Sequence, residues 1–227
     1  MVSMNLTNSP RAVILDLDGT LLDTAGEIVD AMDRTLDELR LPRVAPREVT
    51  HMIGRGVRTL VERALQMLGA ADGDLDAAVE RFEAHYAQTV GTGAALFPGV
   101  REGLERMFEA GMPLAVVTNK PRFFTEQLLE RAGIDGFFIT VVAGDDGIPG
   151  KPRGDMLEAA CKAMGSECAA TLMIGDSDND VLAARAAGCS VWCVPYGYNE
   201  GRAPETLACD RLVATIDEAA RLITPAR

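Results

Sequence analysis

An α/β protein built on a doubly wound parallel sheet is predicted by three features of the sequence. Short apolar runs rich in β-branched residues recur along the chain, and segments of helical periodicity separate most of them. The runs are apolar throughout rather than alternating, as strands covered on both faces are. Each is bounded by Gly, Pro, Asp or Thr. The first is AVIL at 12–15. Residues 25–90 then break the alternation: helices are expected over about 25–39, 56–68 and 75–90, with breaks near Pro42, Pro46, Gly54 and Gly69 and no strong strand candidate. GTGAALFPG at 91–99 has the glycines and proline of a linker-like return. From there strands PLAVV (113–117), FITVV (138–142), TLMI (171–174) and SVWCV (190–194) alternate with helices over 100–110, 122–132, 155–164 and 179–187. RLVA at 211–214 is a weaker sixth strand. The expected organisation is a core of residues 1–22 joined to 95–227, with a helical insert over 23–94.

The 227 residues, nearly half of them hydrophobic, suffice for one large domain or for one domain plus a smaller one. The first ten, MVSMNLTNSP, have neither the basic region nor the apolar run of a secretory signal and are expected to be a loose leader. No stretch is apolar and long enough to span a membrane, so a cytoplasmic location is the default expectation. A net charge of −12 argues against nucleic acid or an anionic membrane surface as partner. The same charge means that an anionic substrate needs local cations. The five cysteines are Cys161, Cys168, Cys189, Cys193 and Cys209. Only Cys189 and Cys193 are closely spaced, and no second pair answers them as zinc would require. They are expected to be buried core thiols, and Trp192, inside an apolar run, a core residue.

Function is looked for at the carboxyl ends of the strands, where doubly wound sheets bind ligands. AVIL leads into Asp16 and Asp18; PLAVV into Thr118, Asn119 and Lys120; FITVV, across the turn AGDDGIPG, into Lys151; and TLMI into GDSDND, with Asp176, Asp178 and Asp180. Acids, a hydroxyl and a lysine thus arrive at one edge from separated parts of the chain. Two carboxylates about 4 Å apart repel by roughly 4 kcal/mol at an effective dielectric of about 20, so a site of this kind needs a cation. Magnesium prefers oxygen ligands and binds through one or two carboxylates plus a substrate phosphate. A carboxylate can act as a nucleophile on phosphorus, a second can carry the proton, and a lysine and a hydroxyl can hold phosphoryl oxygens.

In order and spacing, DLDGTLLDT, VVTNK, GKP and GDSDND resemble the four motifs of the haloacid dehalogenase superfamily, over about residues 11–220. The resemblance implies a Rossmann-like core with an inserted helical C1 cap domain. It implies Asp16 as nucleophile and Mg2+ ligand, and Asp18 as general acid/base that gives the metal its backbone carbonyl. Thr118 and Lys151 would hold the phosphoryl group. Asp176 would be a second carboxylate ligand, with Asp180 bridging to a metal-bound water or to Lys151. Asp178 reads as an acid at a helix N-terminus. Dehalogenases lack the second acid and phosphonatases resemble DxA, so Asp18 implies a phosphatase or a phosphomutase.

Three further stretches, TNKPRFF (118–124), VPYGYNEG (194–201) and MIGRGVRTLVERAL (52–65), resemble bacterial phosphoglycolate phosphatases. That implies a Mg2+-dependent hydrolase of a small phosphate monoester, 2-phosphoglycolate first, through an aspartyl-phosphate. Alternatives are a pyrophosphatase or sugar phosphatase, a phosphomutase and, from another class, a phospho-receiver signalling domain. The position between Gly54 and Gly56, often Asn in that family, is Arg55 here, and GKPRGD has Gly154 where the family has a second proline. Arg55 is read either as an exposed cap arginine or as a clamp on a substrate carboxylate. Asn119, Lys120 and Arg58 are further candidates for substrate binding. His51 and His85 are expected to pack in the cap or at the surface. The partner is a small phosphate ester, and the protein is expected to be a monomer or small homo-oligomer.

Overall fold

The computed structural model describes residues 9–224, so that residues 1–8 of the expected leader lie outside the described residues. β1 (Ala12–Leu15) and β2 (Leu22–Asp23) lead into α1 (Ala25–Glu38), α2 (Pro46–Thr50), α3 (Val57–Met67) and α4 (Leu75–Thr89), and β3 (Ala95–Leu96) returns the chain. There follow α5 (Val100–Glu109), β4 (Leu114–Val117), α6 (Arg122–Arg131), β5 (Thr140–Val142), α7 (Asp155–Met164) and β6 (Thr171–Gly175). The described chain closes with α8 (Asp178–Ala187), β7 (Ser190–Cys193), β8 (Arg211–Leu212) and α9 (Ile216–Ile223).

The six-stranded sheet has the order β5-β4-β1-β6-β7-β8, and each neighbouring pair is parallel. The chain runs outward from β1 to β5 on one side and from β6 to β8 on the other. The switch in direction falls beside β1, so Asp16 issues from the middle of the sheet, where such folds open a crevice. Successive residues of a strand face opposite sides, and the core follows that period. Val13, Leu15, Leu114, Val116, Leu172 and Ile174 join one cluster with α5, α6 and α9. Ala12, Ile14, Ala115, Val117, Met173 and Val191 join another with α7 and α8. Trp192 is buried in the first, as expected.

The helical insert packs α1 on α4 and α3 on α4, through Ile28, Met32, Leu60, Ala64, Phe82 and Tyr86. These residues continue the first cluster of the sheet rather than forming a separate one. Both connections to the insert take part in an antiparallel ribbon that pairs Leu22 with Leu96 and Asp23 with Ala95. The expected linker at 91–99 therefore contains a strand, a correction whose cause is local: two residues are too few to show a period. α9 was not expected either, although its apolar residues Ile216, Ala219, Ala220 and Ile223 have helical spacing. β5 begins at Thr140 rather than Phe138, and Ile139 is 59% exposed at this sheet edge.

α5 and α9 pack closely because Gly103 has no side chain; a Cβ there would lie 2.6 Å from the carbonyl carbon of Ile216. Backbone cannot yield as a side-chain tip can. Gly103→Ala is expected to destabilise the fold by about 1–3 kcal/mol, measured by urea unfolding; an unchanged midpoint would contradict this packing.

Candidate active site

Four loops at the carboxyl edge of the sheet carry the polar residues. Asp16 ends β1, its N–H donating to Ile174 O of β6 at 3.0 Å. Lys151 reaches in from the loop after β5, and its ammonium lies 2.8 Å from Asp16 Oδ1 and 2.7 Å from Asp180 Oδ1. It also donates to the carbonyl of Val117 at 2.9 Å. Three acceptors thus meet the three protons of one buried ammonium. Asp180 is fixed by its place on α8: Ser177 caps the helix, and Asp180 Oδ2 accepts from the N–H groups of Asp176 and Ser177 and from Ser177 Oγ. Both Asp180 oxygens are therefore engaged by protein donors.

Asp176 follows β6. Thr20 Oγ1 donates to its Oδ1 at 3.1 Å, and the N–H groups of Tyr198 and Asn199 donate to its Oδ2 at 2.7 and 3.4 Å. The loop that carries these N–H groups can approach because residue 197 is glycine: a Cβ there would collide with the Asp176 side chain. Asp18 is held differently. Its Oδ1 accepts from Thr24 Oγ1 at 2.6 Å, and Lys120 Nζ donates to Oδ1 and Oδ2 at 2.9 and 3.0 Å. Lys120 also lies over the ring of Tyr86, 4.8 Å from its centroid, and Tyr86 Oη donates to the buried Glu27.

Oxygens of Asp16, Asp176 and Asp180 all lie within 4.8 Å of one another. Burial is the main cause that raises Asp16, to about 8, with Asp180 and Asp176 adding to it and Lys151 opposing it. Asp176 is raised to about 7 by burial and then by Asp180. Burial alone would lower Lys151, but Asp16 and Asp180 more than offset it and hold the ammonium above its usual range. When all are ionised, four carboxylates (Asp16, Asp18, Asp176 and Asp180) face two ammonium groups (Lys120 and Lys151), an excess of two negative charges. A divalent cation fits that excess, and the all-oxygen donor set is one a hard cation takes. Asp180 is already paired with the Lys151 ammonium, whereas the donors that meet Asp176 are neutral, so Asp176, beside Asp16, is the better placed of the two to ligate the cation.

Asp16, Asp18, Thr118, Asn119 and Lys120 line a cavity of about 30 Å³, together with Gly54, Gly56 and apolar residues of the insert such as Ile53, Val57 and Phe82. Its volume holds about one water. Thr118 is buried there, and its Oγ1 accepts from Lys120 N at 3.2 Å. Three expected substrate contacts, Arg55, Asn119 and Lys120, have partners within the protein. The guanidinium of Arg55 meets the protein's own carboxylate, Glu200, at 2.6 Å, and Arg63 joins the same acid at 3.3 Å. The GYNEG loop thus supplies Arg55 with a carboxylate of the protein itself. Lys120 is engaged with Asp18. The Asn119 amide accepts from Lys151 N and donates to the carbonyls of Lys151 and Gly54, each at 2.9 Å, so it braces the lysine loop against the insert. Arg58 pairs with Asp76 and His85 with Glu38, both within the insert. Asp178 opens α8 as expected and pairs with Arg202. Sequence reading missed Thr20, Thr24, Glu27, Tyr86, Glu200 and the buried Asn179, whose Oδ1 has no partner among the described residues. Of these, Thr20 and Thr24 were visible inside the first motif.

A family model described as haloacid dehalogenase-like hydrolase matches residues 13–194. The chain belongs to that family and is a hydrolase of its type. It is 42% identical over 218 residues to a phosphoglycolate phosphatase of Nitrosospira multiformis, covering 94% of this chain and 95% of that one. A plasmid-borne phosphoglycolate phosphatase of Cupriavidus necator is 42% identical over 217 residues, covering 95% and 94%. Among solved structures, one named as a predicted phosphoglycolate phosphatase from Haemophilus somnus superposes with a TM-score of 0.89 at 27% identity, covering 95% of this chain and 99% of that one. CbbY from Rhodobacter sphaeroides, solved in complex with phosphate, superposes with a TM-score of 0.77 at 25% identity, covering 92% and 96%. No helix of the described residues is long and apolar enough to cross a membrane.

Two outcomes are expected from this geometry. Without a cation, folded Asp16 and Asp176 keep protons that the unfolded chain gives up near pH 4. Their contribution to stability is full below about pH 4 and is lost as the pH rises through about 7 to 8. A divalent cation that replaces those protons stabilises more as they become harder to hold. The gain in Tm on adding excess Mg2+ is therefore expected to be larger at about pH 8 than at about pH 5; equal gains would mean that these acids do not carry the ion. The Arg55–Glu200 pair is partly exposed and worth at most about 1 kcal/mol. Arg55→Ala is expected to change kcat/KM by less than about fivefold, and equally for 2-phosphoglycolate and a neutral aryl phosphate. A selective loss with 2-phosphoglycolate would mean that Arg55 holds a substrate carboxylate.

Proposed function

We propose that the protein is a Mg2+-dependent phosphatase of small phosphate monoesters and that 2-phosphoglycolate is its substrate. The observation that carries this reading is the buried cluster of Asp16, Lys151 and Asp180 with Asp176 beside it, at the switch point of the sheet and beneath a small covered cavity. Family membership and the names of the full-length relatives support it. The division of the chain follows the same reading, with 1–22 and 95–227 as catalytic core and 23–94 as cap. A cavity of one water's volume fits a cap at rest against the core, which must open to admit an ester and excludes water when it closes.

In the proposed reaction an oxygen of Asp16 attacks phosphorus and forms an acyl-phosphate, while the bond from phosphorus to the ester oxygen breaks. Asp18 gives its proton to the departing alkoxide, which leaves as the alcohol. Asp18 then takes a proton from water as that water attacks the same phosphorus. The bond to Asp16 breaks, and inorganic phosphate leaves. Thr118 and Lys151 hold the phosphoryl oxygens; Lys151 does so by exchanging its hydrogen bond with Asp16 for one with the phosphoryl group, while Asp180 and Val117 keep the ammonium in place. Asp16, Asp176 and the Asp18 carbonyl would hold Mg2+, which supplies positive charge against the phosphate and the acids. Asn119 contributes by fixing the Lys151 backbone.

Asp16→Asn is expected to lower kcat at saturating Mg2+ by at least about 1,000-fold, and near wild-type turnover would remove the nucleophile. EDTA is expected to abolish activity and Mg2+ to restore it. The decisive measurement is kcat/KM across 2-phosphoglycolate, pyrophosphate, sugar phosphates and nucleotides. An advantage of at least about tenfold for 2-phosphoglycolate is expected. A larger value for another ester would overturn the substrate while leaving the reaction in place.

A further inference from the structure

A second cluster of ligating groups lies at the other end of the sheet. Cys161 is in the last turn of α7, Cys168 begins the short 3-10 turn before β6, and Cys189 immediately precedes β7. The sequence separates them by 7 and 21 residues and gives no pair spacing, which is why it suggested only core thiols. In the fold their three sulfurs lie within 4.8 Å of one another. Cys161 and Cys189 are buried and Cys168 is half-exposed, so the cluster has dry walls and one side toward solvent. None of the three is in a disulfide.

We propose that Cys161, Cys168 and Cys189 form a thiolate site for a soft d10 metal ion such as Zn2+ or Cu+. Sulfurs bound to such an ion at about 2.3 Å stand roughly 3.8 Å apart, so the three thiols need to close by an ångström or less. A set of sulfur ligands selects soft metals over the hard cation expected at the acidic site. Binding of such an ion releases the thiol protons of its ligands. β6 separates the two sites. Thr171 at its start neighbours the cysteines, and Asp176 follows its end, a span on the order of 16 Å. The thiolate site is thus distinct from the acidic one and does not rest on the proposed phosphatase reaction.

The test is a titration of the reduced full-length protein with Cd2+ in excess Mg2+, read as the ultraviolet sulfur-to-cadmium charge-transfer band, which carboxylates do not give. One equivalent is expected to saturate the band and to raise Tm. Cys161→Ser and Cys168→Ser are each expected to weaken binding at least tenfold, while Cys209→Ser leaves it unchanged. Cys168 is half-exposed, so its serine variant keeps the test valid if the buried variant does not fold. No band, a band that persists at full strength in Cys168→Ser, or an equal loss in Cys209→Ser would overturn the site.

Discussion

The burial of three carboxylates, Asp16, Asp176 and Asp180, at the centre of a parallel sheet is the constraint from which the rest of this site follows. Each acid would be neutralised by desolvation unless something answers its charge. Two answers are built into the chain. Lys151 is enclosed by Asp16, Asp180 and the Val117 carbonyl, which together use every proton it has. Backbone N–H groups supply the rest: Asp180 takes two, and Asp176 takes two from the loop after β7. What remains is an excess of negative charge between Asp16 and Asp176, where burial raises both acids. Stability would be better served by fewer acids. Their place in a dry position fits the proposed binding of a cation together with a phosphate.

The same arrangement explains why distant segments must fold before the site exists. Asp16 is placed by the ladder between β1 and β6, Asp180 by the cap of α8, and Lys151 by the Asn119 amide. Asp176 also depends on Thr20 and on the N–H groups of residues 198 and 199. No single segment carries the geometry. The sheet delivers the residues to one edge, and the hydrogen bonds among loops turn proximity into fixed orientation.

The parts legible in the sequence are those with a local signature. Fully buried strands such as AVIL and TLMI show as continuous apolar runs, and the acids that follow them stand out because charge after such a run is unusual. The parts that were not legible depend on long-range pairing. Leu22 and Leu96 form a ribbon across 74 positions, and neither neighbourhood alone looks like a strand. Arg55 illustrates the limit for side chains. Its type suggested a carboxylate partner, and it has one, but the chain supplies that partner at Glu200, 145 positions on. Lys120 repeats the lesson, its partner being Asp18. A residue type announces which chemistry it can meet; only the fold decides whether a ligand or the protein meets it first.

Asp18 shows how this bears on the helical insert. Its carboxylate is bound on one side by Lys120, from the core loop after β4, and on the other by Thr24, the residue that precedes α1 at the entrance to the insert. Tyr198 accepts from the N–H groups of Thr24 and Ala25 and donates to Asp23, so the loop beside Asp176 grips the same entrance. Lys120 in turn lies against Tyr86 of α4, whose hydroxyl is tied to Glu27 of α1. The surroundings of Asp18 are therefore shared between sheet and insert, whereas the side-chain partners of Asp16, Lys151 and Asp180 come from the sheet and its loops. In the proposed reaction Asp18 has to hold a proton at one moment and release it at another, which such divided support serves, while Asp16 has to stay in line with phosphorus, which the strand end serves.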